Sequence, residues 1–288
     1  MKQLFLTLSL VVAASITSCQ KEDTTRVTSP SASFTVKTEI VETKSVSKEA
    51  WADEDSISVW AWVSGSTIVN GVTNTYDAAT KKWTPSSYML WKDMSSVHNF
   101  TASFPVQNIT NFSAHSYTLL GNGAASDDFL VAVNNAADLS AENYSTVPLE
   151  FEHMTSKVTI SLSFRDQFDT TPSVSEVNIT AKNNAEVDIL NQTTSATGSA
   201  VAFKIAETTA NTNYEGVIIP QGIQYINIVI GSDTYTYDHG SVFTLVQGKN
   251  HTISLTVGKD KVELDGDSIT IGSWQPGDSI TDGDAEKN

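Results

Sequence analysis

The sequence is nearly without cysteine: it has one, Cys19, in 288 residues. That excludes a disulfide framework and a thiolate metal site. Basic residues are scarce too, 17 Lys+Arg against 33 Asp+Glu, which gives a formal net charge of −16. Nucleic acid is bound through a Lys/Arg footprint, so no nucleic-acid partner is expected. Catalytic signatures are missing: no G-x-S-x-G, H-E-x-x-H, Walker or G-x-G-x-x-G pattern occurs. The five histidines (His98, His115, His153, His239 and His251) stand apart, without metal-ligand spacing. The acidic clusters at residues 53–55, 265–267 and 278–284 lack the loop pattern of an EF-hand. No enzyme activity, cofactor or metal is expected. The apolar run at residues 4–14 is too short to span a bilayer, and no other stretch approaches the ~18 apolar residues of a membrane helix. No segment carries a helical stripe for three turns.

What is present starts with export. Lys2, the apolar run and Ile16-Thr17-Ser18-Cys19 read as a lipoprotein signal peptide over residues 1–18, with small residues before a cysteine that takes the lipid. Cys19 is the expected lipidation site, and the lipid would hold the chain on the outer membrane. Residues 19–33 are rich in Ser and Thr and read as a flexible leader. Its acidic start, Gln20-Lys21-Glu22-Asp23, is similar to the export signal of surface lipoproteins.

The remainder alternates with period 2. Ile57, Val59, Ala61 and Val63 interleave with Ser58, Trp60 and Trp62. Phe100, Ala102 and Phe104 alternate with Thr and Ser, as do Val158, Ile160 and Leu162, and again Ile253, Leu255 and Val257. This is the pattern of half-buried strands with one solvated face. Gly231-Ser232-Asp233 between apolar runs predicts a hairpin, and Gln247-Gly248-Lys249-Asn250 predicts another joining residues 242–246 to 251–257. The fold class expected is all-β, two tandem β-sandwiches, at residues 34–153 and 154–267. Residues 268–288 hold a last strand and an acidic tail.

Several segments in order resemble the fimbrillin family of pilins. Besides the lipoprotein signal, Lys44-Ser45-Val46 precedes Trp51-Ala52-Asp53-Glu54-Asp55-Ser56-Ile57-Ser58-Val59, similar to the family's first-strand region. Asp127-Asp128-Phe129-Leu130-Val131-Ala132, then Val147-Pro148-Leu149-Glu150-Phe151-Glu152-His153-Met154-Thr155-Ser156-Lys157-Val158, looks like the family's DLLxA … VxLxFxHxxAKV segment. Leu245-Val246-Gln247-Gly248-Lys249-Asn250-His251 and the closing Ile271-Gly272-Ser273-Trp274 match late strands. The resemblance implies transthyretin-like sandwiches, a surface pilus or fimbria with a role in adhesion, and other pilin subunits, or the chain itself, as partners. It also implies assembly by strand donation. A protease trims the first strand, and an extended strand of another subunit fills the groove. The family's cut follows an Arg; here the basic candidates are Lys44 and, upstream, Arg26. The candidate donor strand runs through Ile269, Ile271 and Trp274; the competing reading makes it the last strand of its own sandwich.

A second reading rests on Trp60 and Trp62, which share one strand face opposite the aliphatic one. Were they exposed, they would form a platform for a host glycan or protein, on a monomeric lipid-tethered binding protein.

Overall fold

A computed structural model describes residues 33–40, 50–120, 128–265 and 269–273, with backbone only at 270–273. The described residues form eighteen strands and no helix. In chain order they are β1 (Thr35–Ile40), β2 (Ser56–Val63), β3 (Ser66–Asp77), β4 (Lys82–Pro85), β5 (Asn99–Phe104), β6 (His115–Thr118), β7 (Leu130–Asn134), β8 (Thr146–His153) and β9 (Ser156–Phe164). There follow β10 (Val174–Asp188), β11 (Thr193–Lys204), β12 (Ala206–Thr209), β13 (Asn213–Ile218), β14 (Gly222–Ile230), β15 (Asp233–Thr244), β16 (Lys249–Val257), β17 (Val262–Leu264) and β18 (Thr270–Ser273). The alternation in sequence becomes alternation in burial. In β8, Val147, Leu149, Phe151 and His153 are buried while Thr146, Pro148, Glu150 and Glu152 are exposed.

The first seven-stranded sheet has the order β1-β8-β7-β5-β2-β3-β4. Its pairs are antiparallel except β1 on β8, which is parallel. The sheet folds over until its two end strands meet, for Trp83 of β4 donates its Nε1–H to Thr38 Oγ1 of β1 at 2.8 Å. One core lies inside, built from Phe34, Ile57, Val59, Trp91, Phe100 and Phe151 among others. The remaining strands make two further sheets. One has the order β11-β10-β14-β15, with β6 added to β10; the other is β12-β13-β9-β16-β17, with β18 added to β16. Ile160 of β9 and Leu255 of β16 pack with Ile179 of β10 and Ile226 of β14 in a second core.

Sequence and structure part at three places. The Gly231-Ser232 hairpin forms as expected, with Ile230 paired to Asp233. The second expected hairpin does not: β15 pairs with β14, whereas β16 pairs with β9, β17 and β18 in the other sheet. The turn is there, with Gly248 at φ +64°, but it carries the chain from one sheet to the other. Thr101 and Ser103 of β5, expected to face water, are fully buried, and Thr101 Oγ1 donates to the Ala132 carbonyl at 2.6 Å. The outer face of the first sheet is thus covered at β5, not solvated there. Finally, β6 lies before residue 153 yet pairs with β10 beyond it, Ala185 opposite Tyr117.

Candidate functional site: the first strand, the last strand and the joint between them

Two apolar side chains at the start of β1 point inward, Phe34 just before the strand at 2% exposure and Val36 within it at 4%. Phe34 sits against Trp91 and Phe100, with ring centroids at 5.0 and 5.3 Å. The Phe34 amide donates to the Met89 carbonyl at 3.0 Å, and Thr35 to the Ser145 carbonyl at 3.3 Å. The register on β8 runs from Thr35 opposite Thr146 to Ile40 opposite Phe151. The strand therefore acts as a plug: taking it away would bare apolar pockets at Trp91 and Phe100 and unpair the edge of β8. Burying a side chain of this kind is worth about 1.5–3 kcal/mol, so the plug holds firmly. Arg26 and Lys44, the candidate cleavage positions, lie outside the described residues, as does Cys19.

The candidate donor strand is seated in its own chain. β18 pairs antiparallel with β16 over four positions, with Ile271 opposite His251 and Thr270 opposite Thr252. Ile269 is half-buried against the second core. Trp274 lies outside the described residues. Beneath β18, His251 is fully buried and accepts the Val246 amide at Nε2, 2.9 Å. That bond needs a bare Nε2, so the proton resides on Nδ1 and the ring is neutral. Burial pushes its pKa down. His98 in the first half is arranged similarly: Nε2 accepts the Lys92 amide at 3.1 Å, Nδ1 donates to the Ser96 carbonyl at 2.8 Å, and burial lowers its pKa.

Between the two terminal strands lies a polar clasp that sequence reasoning identified only in part. His153 is the last residue of β8. Its Nδ1 meets Asp128 Oδ2 at 2.7 Å, and Asp128 Oδ1 accepts the Thr155 hydroxyl at 2.7 Å. All three are buried. Around this core the Gly248 amide donates to the Thr155 carbonyl at 2.8 Å, and Gln192 Nε2 donates to the Val131 carbonyl at 3.1 Å. Gln247 Nε2 reaches the Gln192 carbonyl at 2.9 Å. The clasp welds the end of β8 to the approach to β7, where the chain passes between cores. A signal for it existed: Asp128 and His153 stand in the two arms of one family-like segment.

The tryptophan platform is corrected by the structure. Trp60 and Trp62 do share a face, but Trp60 is 2% exposed in the second core, with the Phe112 ring edge-on at 5.5 Å. Trp62 is half-buried against the same ring at 5.0 Å. Gly71 lies so close that a Cβ there would stand 3.2 Å from the Trp60 indole nitrogen. Covering the outer face of β2 is what buries the pair. Among the described residues, no three His, Cys, Asp or Glu side chains gather to hold a metal ion, and no helix is long and apolar enough to cross a membrane.

The described residues thus form an all-β scaffold whose terminal strands lie at sheet edges, with a buried polar joint where the chain passes from one core to the other. Its sequence matches the fimbrillin-like family over residues 25–274, and the chain belongs to that family. No curated protein matches it. In fold it is similar to a proposed cell adhesion protein of Bacteroides uniformis, at TM-score 0.66 and 16% identity over 84% of this chain and 99% of that one. A second proposed cell adhesion protein, from Bacteroides ovatus, gives TM-score 0.64 and 15% identity over 88% and 99%. The tip fimbrial protein Mfa3 of Porphyromonas gingivalis gives 0.51 and 9% over 77% and 95%. Fimbrillin-like proteins are structural and non-enzymatic, and the family implies a place at the cell surface.

Proposed function

We propose that the chain is a subunit or anchor of a cell-surface pilus with a role in adhesion. It is exported as a lipoprotein through Cys19, held on the outer membrane by that lipid, and assembled by β-strand donation. The observation that carries this reading is β1, an edge strand plugging an apolar groove with Phe34 and Val36. A cut at Lys44 or Arg26 would free it. The vacated groove would then offer unpaired β8 backbone and apolar pockets, which an alternating strand of another copy or another pilin satisfies. The strand offered is β18, held by four pairs only. A host glycan or protein is the adhesion target, at a surface other than Trp60.

Limited trypsin treatment of the chain from Gln20, followed by unheated gel electrophoresis, tests the assembly. A ladder of multimers is expected after cleavage, and Ile271→Asp should abolish it. A single monomer band after complete cleavage at Lys44 would overturn strand donation.

A further inference from the structure

Five of the six strands that end the three sheet orders carry a charged residue mid-strand or at their start: Lys37 on β1, Lys82 on β4, Glu207 on β12, Asp233 on β15 and Glu263 on β17. Charge on an edge strand is the common device against edge-to-edge pairing. The sixth, β11, is different. From Thr193 to Phe203 it has no charged side chain, and its only one is the terminal Lys204. It is twelve residues long, and among the described residues no strand pairs with its outer edge. Residues 197–202 are exposed throughout. Val201 stands opposite the buried Ala181 and so on the core-facing side, next but one to buried Phe203, yet it is 44% exposed. An apolar residue on the core side of a sheet is half-covered because the sheet stops there.

We propose that the outer edge of β11 is a homotypic docking edge, paired antiparallel with β11 of a second copy about a two-fold axis at Val201. The chain carries a net charge of −16, so most surfaces of two copies repel; this edge brings none of their carboxylates together. Centring on Val201 sets Val201 against its counterpart, Ala200 against Ala202, Ser199 against Phe203 and Gly198 against Lys204, with no like charges opposed. The five-stranded sheet would continue through the axis, and each Val201 would be covered by the other. The bulge at Gly198, φ +74°, bends the strand, so regular pairing runs from Ala200 to Ala202 and the outer pairs are looser. This contact is lateral, independent of β1 and β18, and needs no proteolysis.

The test is sedimentation of uncleaved chain from Gln20 over a wide concentration range. A reversible dimer is expected. Val201→Lys, which sets two ammonium groups face to face, should weaken it by about tenfold or more at unchanged melting temperature. Should that variant melt early, Val201→Cys decides: it supplies the only thiol in a chain starting at Gln20, and mild oxidation should give a covalent dimer. Uncleaved chain that stays monomeric at all concentrations, or a Val201→Cys chain that does not cross-link, overturns the proposal. A monomer that binds a different pilin through this edge would also overturn it, since the occupant would then not be a second copy.

Discussion

β1 and β18 both lie at a sheet edge near a chain terminus, but they are held differently. β1 has a six-position register, the inserted Val36 with Phe34 just before it, and an added lock from Trp83. β18 has four pairs, preceded by a half-buried Ile269. A strand seated like β1 leaves only when something severs or unfolds it. A strand seated like β18 can be exchanged at small cost. Under the proposed assembly that asymmetry sets the order of events: the acceptor side is barred until cut, while the donor side stands ready.

The largest expected effect is on the plug. Phe34→Ala should lower stability by about 3–5 kcal/mol by emptying the pocket at Trp91 and Phe100; urea unfolding followed by tryptophan fluorescence measures it. A loss near 1 kcal/mol would erase the contrast with β18. Next comes the clasp. Asp128→Ala leaves His153 and Thr155 buried without their acceptor and should cost about 3 kcal/mol. If calorimetry then shows one unfolding transition split into two, the clasp is what couples the strand ends. Ile269→Ala should cost only about 1 kcal/mol, since the side chain is half-buried. An effect as large as that of Phe34→Ala would mean that β18 is as tightly held as β1. Trp83→Phe keeps the ring and removes the hydrogen bond to Thr38, for about 1 kcal/mol. Faster trypsin release of β1 is the accompanying sign.

Acid sharpens the comparison further, because a neutral histidine lies beside each strand. His98 touches Trp91, the partner of Phe34, at 4.8 Å between rings, and His251 sits opposite Ile271. Burial lowers both pKa values, and that of His115. Above the unfolded-state value of about 6.5 both states are neutral and stability is full. As pH falls through that value the unfolded chain takes protons first, so stability declines until the folded-state values are reached. Carboxylates held low by hydrogen bonds, Asp93 from Ser96 and Asp188 from Asn191, lose their contribution only in a more acid range. Denaturation midpoints that stay level from neutral pH to the onset of carboxylate titration would contradict the histidine assignments.

The fold class was legible because it is local: Val147, Leu149 and Phe151 alternate in the chain as they do in β8. Turn chemistry was legible too, at Gly231 and Gly248. What a turn joins was not, since nothing near Gly248 says that Thr244 and Lys249 belong to different sheets. The parallel match of Thr35 with Thr146, more than a hundred residues apart, leaves no local trace. The failure at Trp60 has the same origin. Its face was read correctly, and what covers it comes from Phe112 and the second core. Of the candidate site, His153 and Asp128 were legible only as members of the family-like segment. Their pairing was not, because acidic residues are common here and only the folded corner picks one of them.

The placement of β6 bears on how this polypeptide comes to be made. Tyr117 cannot find Ala185 until residues far downstream have left the ribosome. A product that ended at residue 153 would carry an unmatched strand into solution, the profile of an aggregating intermediate. The front half is therefore not a unit that matures first and waits; synthesis must run well past its last residue before its outer surface is finished.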